Sequence, residues 1–533
     1  MTWDYIIIGA GSAGCALAHE LVTGAPQRRV LVLEAGGSDR SPYIRFPAGA
    51  LQAMRKFDWA YQSQPDPSCN GRSERWYRGR VLGGSSSINS TIFVRGAARD
   101  FDRWAERLGP AAASDWSAAA VIPIFRELET SDQMGPARGS SGPLRVTTVR
   151  PRHALSQAFI RSARGCGHPF NEDYNGSSQD GVAHAQVSQR RGLRCSAADA
   201  FLRPLLGRQK NFTLLLNATV RKIELRNGRA DAVSLLHDGR LRRETAGEII
   251  LCAGAINSPH LLMLSGIGEA AELERHGIEA AVDLPGVGRN LRDHPLLRLI
   301  YRSRIPTYNP TRGVLQKLGF AAAFFLHGEG PIANVFESVA FIKSSPAEPY
   351  PDIQLHFEPI GILPDSFELA PYPALSVLVN KSRPSSSGRI RLANQDPAAA
   401  PLIECRQLAD EADVNTLVAA VSTIRAIMRS EPISSLLAEE IAPSPAVEDG
   451  ACLRRYVRGH TRTAFHPVGT CRMGTDPDAV VGPDLRVHGI ENLWVADASI
   501  MPDLISGNTN GACMMIGRKL GKQLLRASPP TRS

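Results

Sequence analysis

The sequence has no apolar run near the roughly 20 residues that carry a helix across a bilayer. The longest such run near its middle, Phe320 to Leu326, is too short. The N-terminus lacks the basic, then apolar, then small-residue order of a secretory leader, so a cytoplasmic location is expected. The nine cysteines, at positions 15, 69, 166, 195, 252, 405, 452, 471 and 513, include no CxxC pair. A disulfide framework or zinc site is therefore not expected, and the thiols are read as free and buried. Internal repeats and low-complexity domains are missing too. Basic residues exceed acidic ones by nine, but they are dispersed rather than clustered. That pattern gives a solvated basic surface and no nucleic-acid partner, while permitting peripheral contact with an anionic membrane. What is present is a 43% apolar, 21% charged chain of 533 residues. Such a chain builds a large core and more than one folding unit.

The first 34 residues have the order of a nucleotide-binding unit. Tyr5 to Ile8 reads as a buried strand, Cys15 to Thr23 as a helix, and Arg29 to Leu33 as a second strand ending at Glu34. Between the first strand and the helix lies Gly9-Ala-Gly11-Ser-Ala-Gly14, a GxGxxG in its proper context. Gly9 permits the tight turn, Gly11 lets the backbone approach a pyrophosphate, and Gly14 lets the helix pack closely on the sheet. The helix N-terminus offers unpaired N–H groups and a partial positive charge to the phosphates. Glu34 is placed to accept hydrogen bonds from ribose hydroxyls. At this point NAD and FAD are both open.

Three further segments narrow the choice. Gly79 to Asn89, with Arg80, Gly83, Gly84 and Ser85, is rich in glycine and serine and can lay backbone N–H groups along a cofactor. Gly254 to Gly268 follows the apolar strand Glu248 to Cys252. Asn492 to Ser499 reads as a strand ending in Asp497, an acid suited to the hydroxyls of a ribityl chain. The two glycine- and serine-bearing segments resemble the two signatures of the glucose–methanol–choline (GMC) oxidoreductases. His466-Pro467 to Gly474 and Val495 to Pro502 resemble that family's C-terminal region. The resemblance runs from about residue 3 to residue 526, and within the family it is strongest to bacterial FAD-dependent alcohol and choline dehydrogenases.

The resemblance implies an α/β fold with a discontinuous Rossmann-like FAD domain, residues 1–155, 195–305 and 460–533. An α+β substrate domain with an antiparallel sheet would take residues 156–194 and 306–459. The tail Ser528 to Ser533 is expected to fray. To the cofactor the resemblance assigns Gly9, Gly11, Ser12, Ala13, Gly14, Glu34, Ala35, Arg80, Gly83, Gly84, Ser85, Asn89, Val220, Ala253, Asp497, Ala498, Asn508, Thr509 and Asn510. Some choline-oxidising relatives attach FAD through a histidine at the position of Ile88. Isoleucine cannot form that bond, so the FAD is expected to be non-covalent. No metal is implied.

Alcohol oxidation needs a base, a donor for the developing alkoxide and a nearby hydride acceptor. The family's catalytic base falls on His466, a residue type whose pKa lies near neutrality. Its second catalytic position falls on Asn508, an amide that can donate to the alcohol oxygen but cannot act as a base. Asn508 also reads as the N-cap of a helix over Thr509 to Leu525. Ser90 and His356 are weaker substrate-site candidates. Glu337 is read either as a partner for a cationic substrate or as one for a surface arginine. Phe320, Phe324, Phe325, Phe336 and Phe341 are read as a core stripe or an apolar pocket lining. The expected reaction is oxidation of a primary alcohol to an aldehyde, with O₂, a quinone or a protein carrier as electron acceptor. The same fold also hosts hydroxynitrile lyases and a photodecarboxylase, in which FAD has another role.

Overall fold

The computed structural model describes residues 2–150, 153–309, 313–334, 336–363, 368–448 and 450–526; the tail 528–533 lies outside them. The elements that frame the site are, in chain order, β1 (Trp3–Ile8), α1 (Ser12–Gly24), β2 (Val30–Leu33), β3 (Gly181–His184) and β4 (Phe212–Leu215). There follow β5 (Ala218–Arg226), β6 (Arg229–His237), β7 (Arg240–Leu251), α2 (Gly254–Leu264), β8 (Pro295–Ser303) and α3 (Val314–His327). The remainder are β9 (Ser338–Ile342), β10 (Ile353–Glu358), β11 (Ala374–Lys381), α4 (Glu411–Arg429), β12 (Leu437–Ala442), β13 (Arg462–Thr463), β14 (Leu493–Val495) and α5 (Asn510–Arg526).

Two seven-stranded sheets organise these elements. The first runs β4-β2-β1-β7-β6-β5, with β14 also paired to β7. Its β4, β2, β1, β7 and β14 are parallel, while β5, β6 and the first half of β7 form an antiparallel meander. The β-branched runs Ile6–Ile8 and Val30–Val32 are buried on both faces, as parallel strands between helices must be. The second sheet runs β12-β8-β11-β10-β9-β3, with β13 paired to β8, and is antiparallel throughout. Alternation splits its faces. Leu297, Leu299, Leu355, Phe357, Val377 and Val379 pack beneath α4, against Val414, Leu417, Val421 and Ile424. The intervening residues form rows on the other face. One row is Leu296–Asn380–Gln354, the next Arg298–Leu378–His356, and the next Ile300–Ser376–Glu358.

The boundary expected near residue 305 falls just after β8, whereas β11, β12 and β13, the partners of β8, all lie in the second sheet. Seven cysteines are buried and unpaired, but Cys166 is exposed and Cys452 half-buried, departing from the expectation of uniformly buried thiols. Among the described residues, no helix is long and apolar enough to cross a membrane.

Candidate active site

A cavity of about 1180 Å³ lies between the strand ends of the first sheet and the polar rows of the second. That exceeds the roughly 300–1,000 Å³ of ordinary small-molecule sites, leaving room for a long dinucleotide and a second ligand.

The dinucleotide side is built by the glycine turn after β1. Gly9 has φ of +103°, which side chains resist, and a Cβ on Gly14 would stand 2.0 Å from the Gly9 carbonyl oxygen. Gly11 differs: a Cβ there would meet nothing within 4 Å, because it faces the cavity. Helix α1 begins there, and α5 begins beside it, with the Ser12 hydroxyl donating to Asn510 Oδ1 over 2.7 Å. The two helices run parallel, since Gly517 packs on Ala13 and Leu525 on Gly24. Two positive helix ends thus meet at one wall. The carboxylates keep acceptor capacity for ligand hydroxyls. Glu34 accepts from the Ala10 and Gly36 N–H groups, and burial pushes its carboxyl up to about 7. Asp497 accepts from Gly254 N, Ser258 Oγ and Ser499 N, and burial likewise raises its pKa. The open approach at Gly11, the paired helix ends and the two under-used carboxylates fit FAD.

Ser12, Ala13, Ala35, Arg80, Gly84, Ser85, Asn89, Val220, Ala253, Ala498 and Thr509 also line this cavity. Gly14 and Gly83 do not. Gly14 seats α1 against the turn, and Gly83, at φ +87°, stands behind the wall, where a Cβ would meet Ser87 Oγ at 2.3 Å. Ile88 lines the cavity at the position in question for covalent attachment.

The reacting end gathers His466 and Asn508, with Asn508 Nδ2 3.1 Å from His466 Nε2. Phe465, at φ +62°, sets the bend that turns His466 inward. A non-glycine residue there costs about 1–3 kcal/mol and persists only when its surroundings hold it. Here Thr463 Oγ1 accepts from Phe465 N, Arg78 donates to the Phe465 carbonyl, and Asp293 accepts from His466 N. Thr463 Oγ1 in turn donates to Asp293, whose carboxyl burial pushes up to about 7.

His294 is the site residue that sequence reasoning missed. Its Nε2 lies 3.0 Å from both the Ser382 and Ile505 carbonyl oxygens, so it must carry the proton. Burial holds its pKa down to about 4, so the ring is neutral and Nδ1 is an acceptor. His466 Nδ1, 2.9 Å away, must then be the donor. His466 Nε2 is left as an acceptor at the cavity, with the Asn508 amide nitrogen 3.1 Å away to donate to it. Burial, followed by the neighbouring His294, holds the His466 pKa well below its ordinary value, which keeps that nitrogen unprotonated. The available signal was a second His-Pro pair, His294-Pro295, matching His466-Pro467.

Asn508 is not the N-cap. Thr509 closes α5, its carbonyl accepting from Cys513 N, and Asn508 sits one residue earlier. Gln354 Nε2 donates to Asn508 Oδ1 over 3.2 Å, turning the amide nitrogen toward His466. Ser90 and His356 both line the cavity, and burial lowers the His356 pKa to about 4. Glu337 is buried rather than at the surface, and accepts from Ser156 Oγ and the Tyr308 hydroxyl. The phenylalanines divide. Phe320 and Phe336 line the cavity, Phe324 and Phe341 are buried, and Phe325 is 78% exposed.

Two family models described as GMC oxidoreductase match residues 3–296 and 384–517. An alcohol dehydrogenase (acceptor) from Pseudomonas putida is 37% identical over 98% of this chain and 96% of its own. An oxygen-dependent choline dehydrogenase from Sinorhizobium fredii is 39% identical over 100% of this chain and 97% of its own. Among solved structures, pyridoxine 4-oxidase from Mesorbium loti superposes with a TM-score of 0.91 at 30% identity, covering 99% of this chain and 100% of that one.

Proposed function

The chain belongs to the GMC oxidoreductase family, FAD-binding enzymes that act on alcohols, and on that premise we propose that it oxidises a primary alcohol to the aldehyde with His466 as the base. The observation that carries this reading is the tautomer of His466: His294 accepts from its Nδ1–H, which leaves Nε2 as a proton acceptor at the cavity beside the Asn508 amide. The substrate hydroxyl gives its proton to that nitrogen. Asn508 Nδ2 donates to the oxygen as negative charge develops, and Gln354 holds the amide in that orientation. Bound FAD supplies the acceptor for the hydride that leaves the carbinol carbon. The turn Gly9–Gly14, Glu34, the Gly79–Asn89 segment, Asp497–Ala498 and the start of α5 hold the cofactor, non-covalently because Ile88 has no nucleophile. The division into a cofactor unit and a substrate unit follows the two sheets, with β8 counted in the second. The dehydrogenases and oxidase among the relatives favour oxidation over the lyase and light-driven alternatives.

The test is anaerobic flavin bleaching of the holoenzyme by linear alkanols, benzylic alcohols, choline, pyridoxine and polyols. Air or a dye acceptor is then admitted. Bleaching by an alcohol with release of aldehyde supports the proposal, and reoxidation in air separates an oxidase from a dehydrogenase. No bleaching by any alcohol overturns it.

A further inference from the structure

The substrate side of the cavity carries one ion pair that the reaction does not use. Arg298 on β8 donates from Nη1 to Glu358 Oε1 on β10 over 2.6 Å, and both residues line the cavity. The pair is unequal. The Arg298 side chain is 16% exposed and the Glu358 side chain 1%. Glu358 Oε2 has no partner among the described residues, and burial pushes the carboxyl up to about 7 despite the guanidinium beside it. Beyond its bonds to Glu358 and, at 3.5 Å, to Ser376 Oγ, Arg298 has no hydrogen-bond partner among the described residues. Its remaining N–H groups therefore present to the cavity.

Strand register fixes where this lies relative to the chemistry. Gln354, which holds Asn508, sits in the row of Leu296 and Asn380, and Arg298 sits in the next row. Two residues along a strand advance about 7 Å. Between and around the rows Leu296, Leu378, Phe336, Ile360 and Phe320 form an apolar strip, beside which His356 is a polar member of the Arg298 row. The chamber thus has a proton-accepting end, an apolar strip and a donor about one strand repeat away.

We propose that Arg298, held by Glu358, is a specificity residue that receives a hydrogen-bond acceptor at the far end of the alcohol. The preferred substrate then carries a second, uncharged oxygen function beyond an apolar spacer, as in a diol. Glu358 offsets the guanidinium charge, so the pair makes no demand for an anion. A quaternary ammonium placed there would face the guanidinium, which disfavours choline. This inference rests on the alcohol-oxidation reading.

The experiment compares anaerobic flavin reduction by hexanediol with hexanol, and by benzenedimethanol with benzyl alcohol, in the holoenzyme. The expected preference for each diol is about tenfold or more in the second-order rate constant, the size of a hydrogen bond to a charged group. That is well above the twofold gained from having two reactive ends. In Arg298→Met the preference should fall to within about twofold, and Arg298→Lys should keep part of it. The paired Arg298→Met/Glu358→Gln variant avoids stranding a buried carboxylate, and its bound-flavin spectrum shows whether the site has assembled. Equal use of diol and monol by the wild type, or a preference that survives Arg298→Met, overturns the inference while alcohol oxidation stands. Failure of every alcohol to reduce the flavin overturns both.

Discussion

In the proposed mechanism His466 acts through a proton that it does not give away. The Nδ1 proton is held by His294, and this frees Nε2 for the substrate. Replacing His466 with alanine should slow flavin reduction by at least about 100-fold, within the 10²–10⁴ that a general base contributes; stopped-flow absorbance measures it, and near-normal reduction sinks the assignment. The sign of the pH dependence follows from burial. Desolvation disfavours the imidazolium, so the base form persists to lower pH. The acid limb of flavin reduction should have its midpoint below the ordinary histidine value of about 6.5. In His294→Asn the rate should fall, because the neighbour that fixes the His466 tautomer is gone. A rate unchanged by His294→Asn would assign His294 to packing alone. His466 and Asn508 were legible in the sequence because they stand in an ordered motif. His294 was not, because its meaning depends on a ring 172 positions away.

At the scale of elements, the pairing of α1 with α5 sets the cofactor wall. A Cβ on Gly517 would stand 2.1 Å from the Ala13 carbonyl oxygen. Gly517→Ala should therefore push the helices apart, costing about 1–3 kcal/mol as overpacking does. Thermal melting should show a lower Tm, and the purified protein should hold less flavin. An unchanged Tm would mean that the helices yield without strain. The βαβ unit at the N-terminus was readable because strand, turn, helix and acid follow one another locally. The rows on the second sheet were not. The row joining Arg298 to His356 is a product of strand register. That register is set by which residues pack beneath α4, a choice local spacing does not encode. The phenylalanine cluster misleads for the same reason: neighbours in sequence went to cavity, core and solvent separately.

At the scale of the whole molecule, the cofactor joins parts of the chain that fold nowhere near one another in sequence. FAD should stabilise the native state by mass action, by about 2.7 kcal/mol when free FAD is one hundred times its Kd. Melting curves with and without added FAD check this, and an unchanged Tm in a flavin-depleted sample would contradict the assigned site. Acid precipitation should leave the flavin in the supernatant, as expected with isoleucine at position 88; flavin in the pellet would show a covalent bond elsewhere. The overall architecture was legible because its motifs are spread along the chain in order. The pairing of β8 with the second sheet was not, because that strand directly follows His294 in the chain.

The hydrogen bond between Ser12 and Asn510 has a consequence for how the protein is made. At about 5–20 residues per second, a ribosome needs roughly 25–100 s to add the 498 positions between them. Through that interval the emerging first helix lacks α5, which packs along it, and the second helix end at the cofactor wall does not yet exist. Flavin capture is therefore expected to wait for that last helix rather than to nucleate the fold at the start.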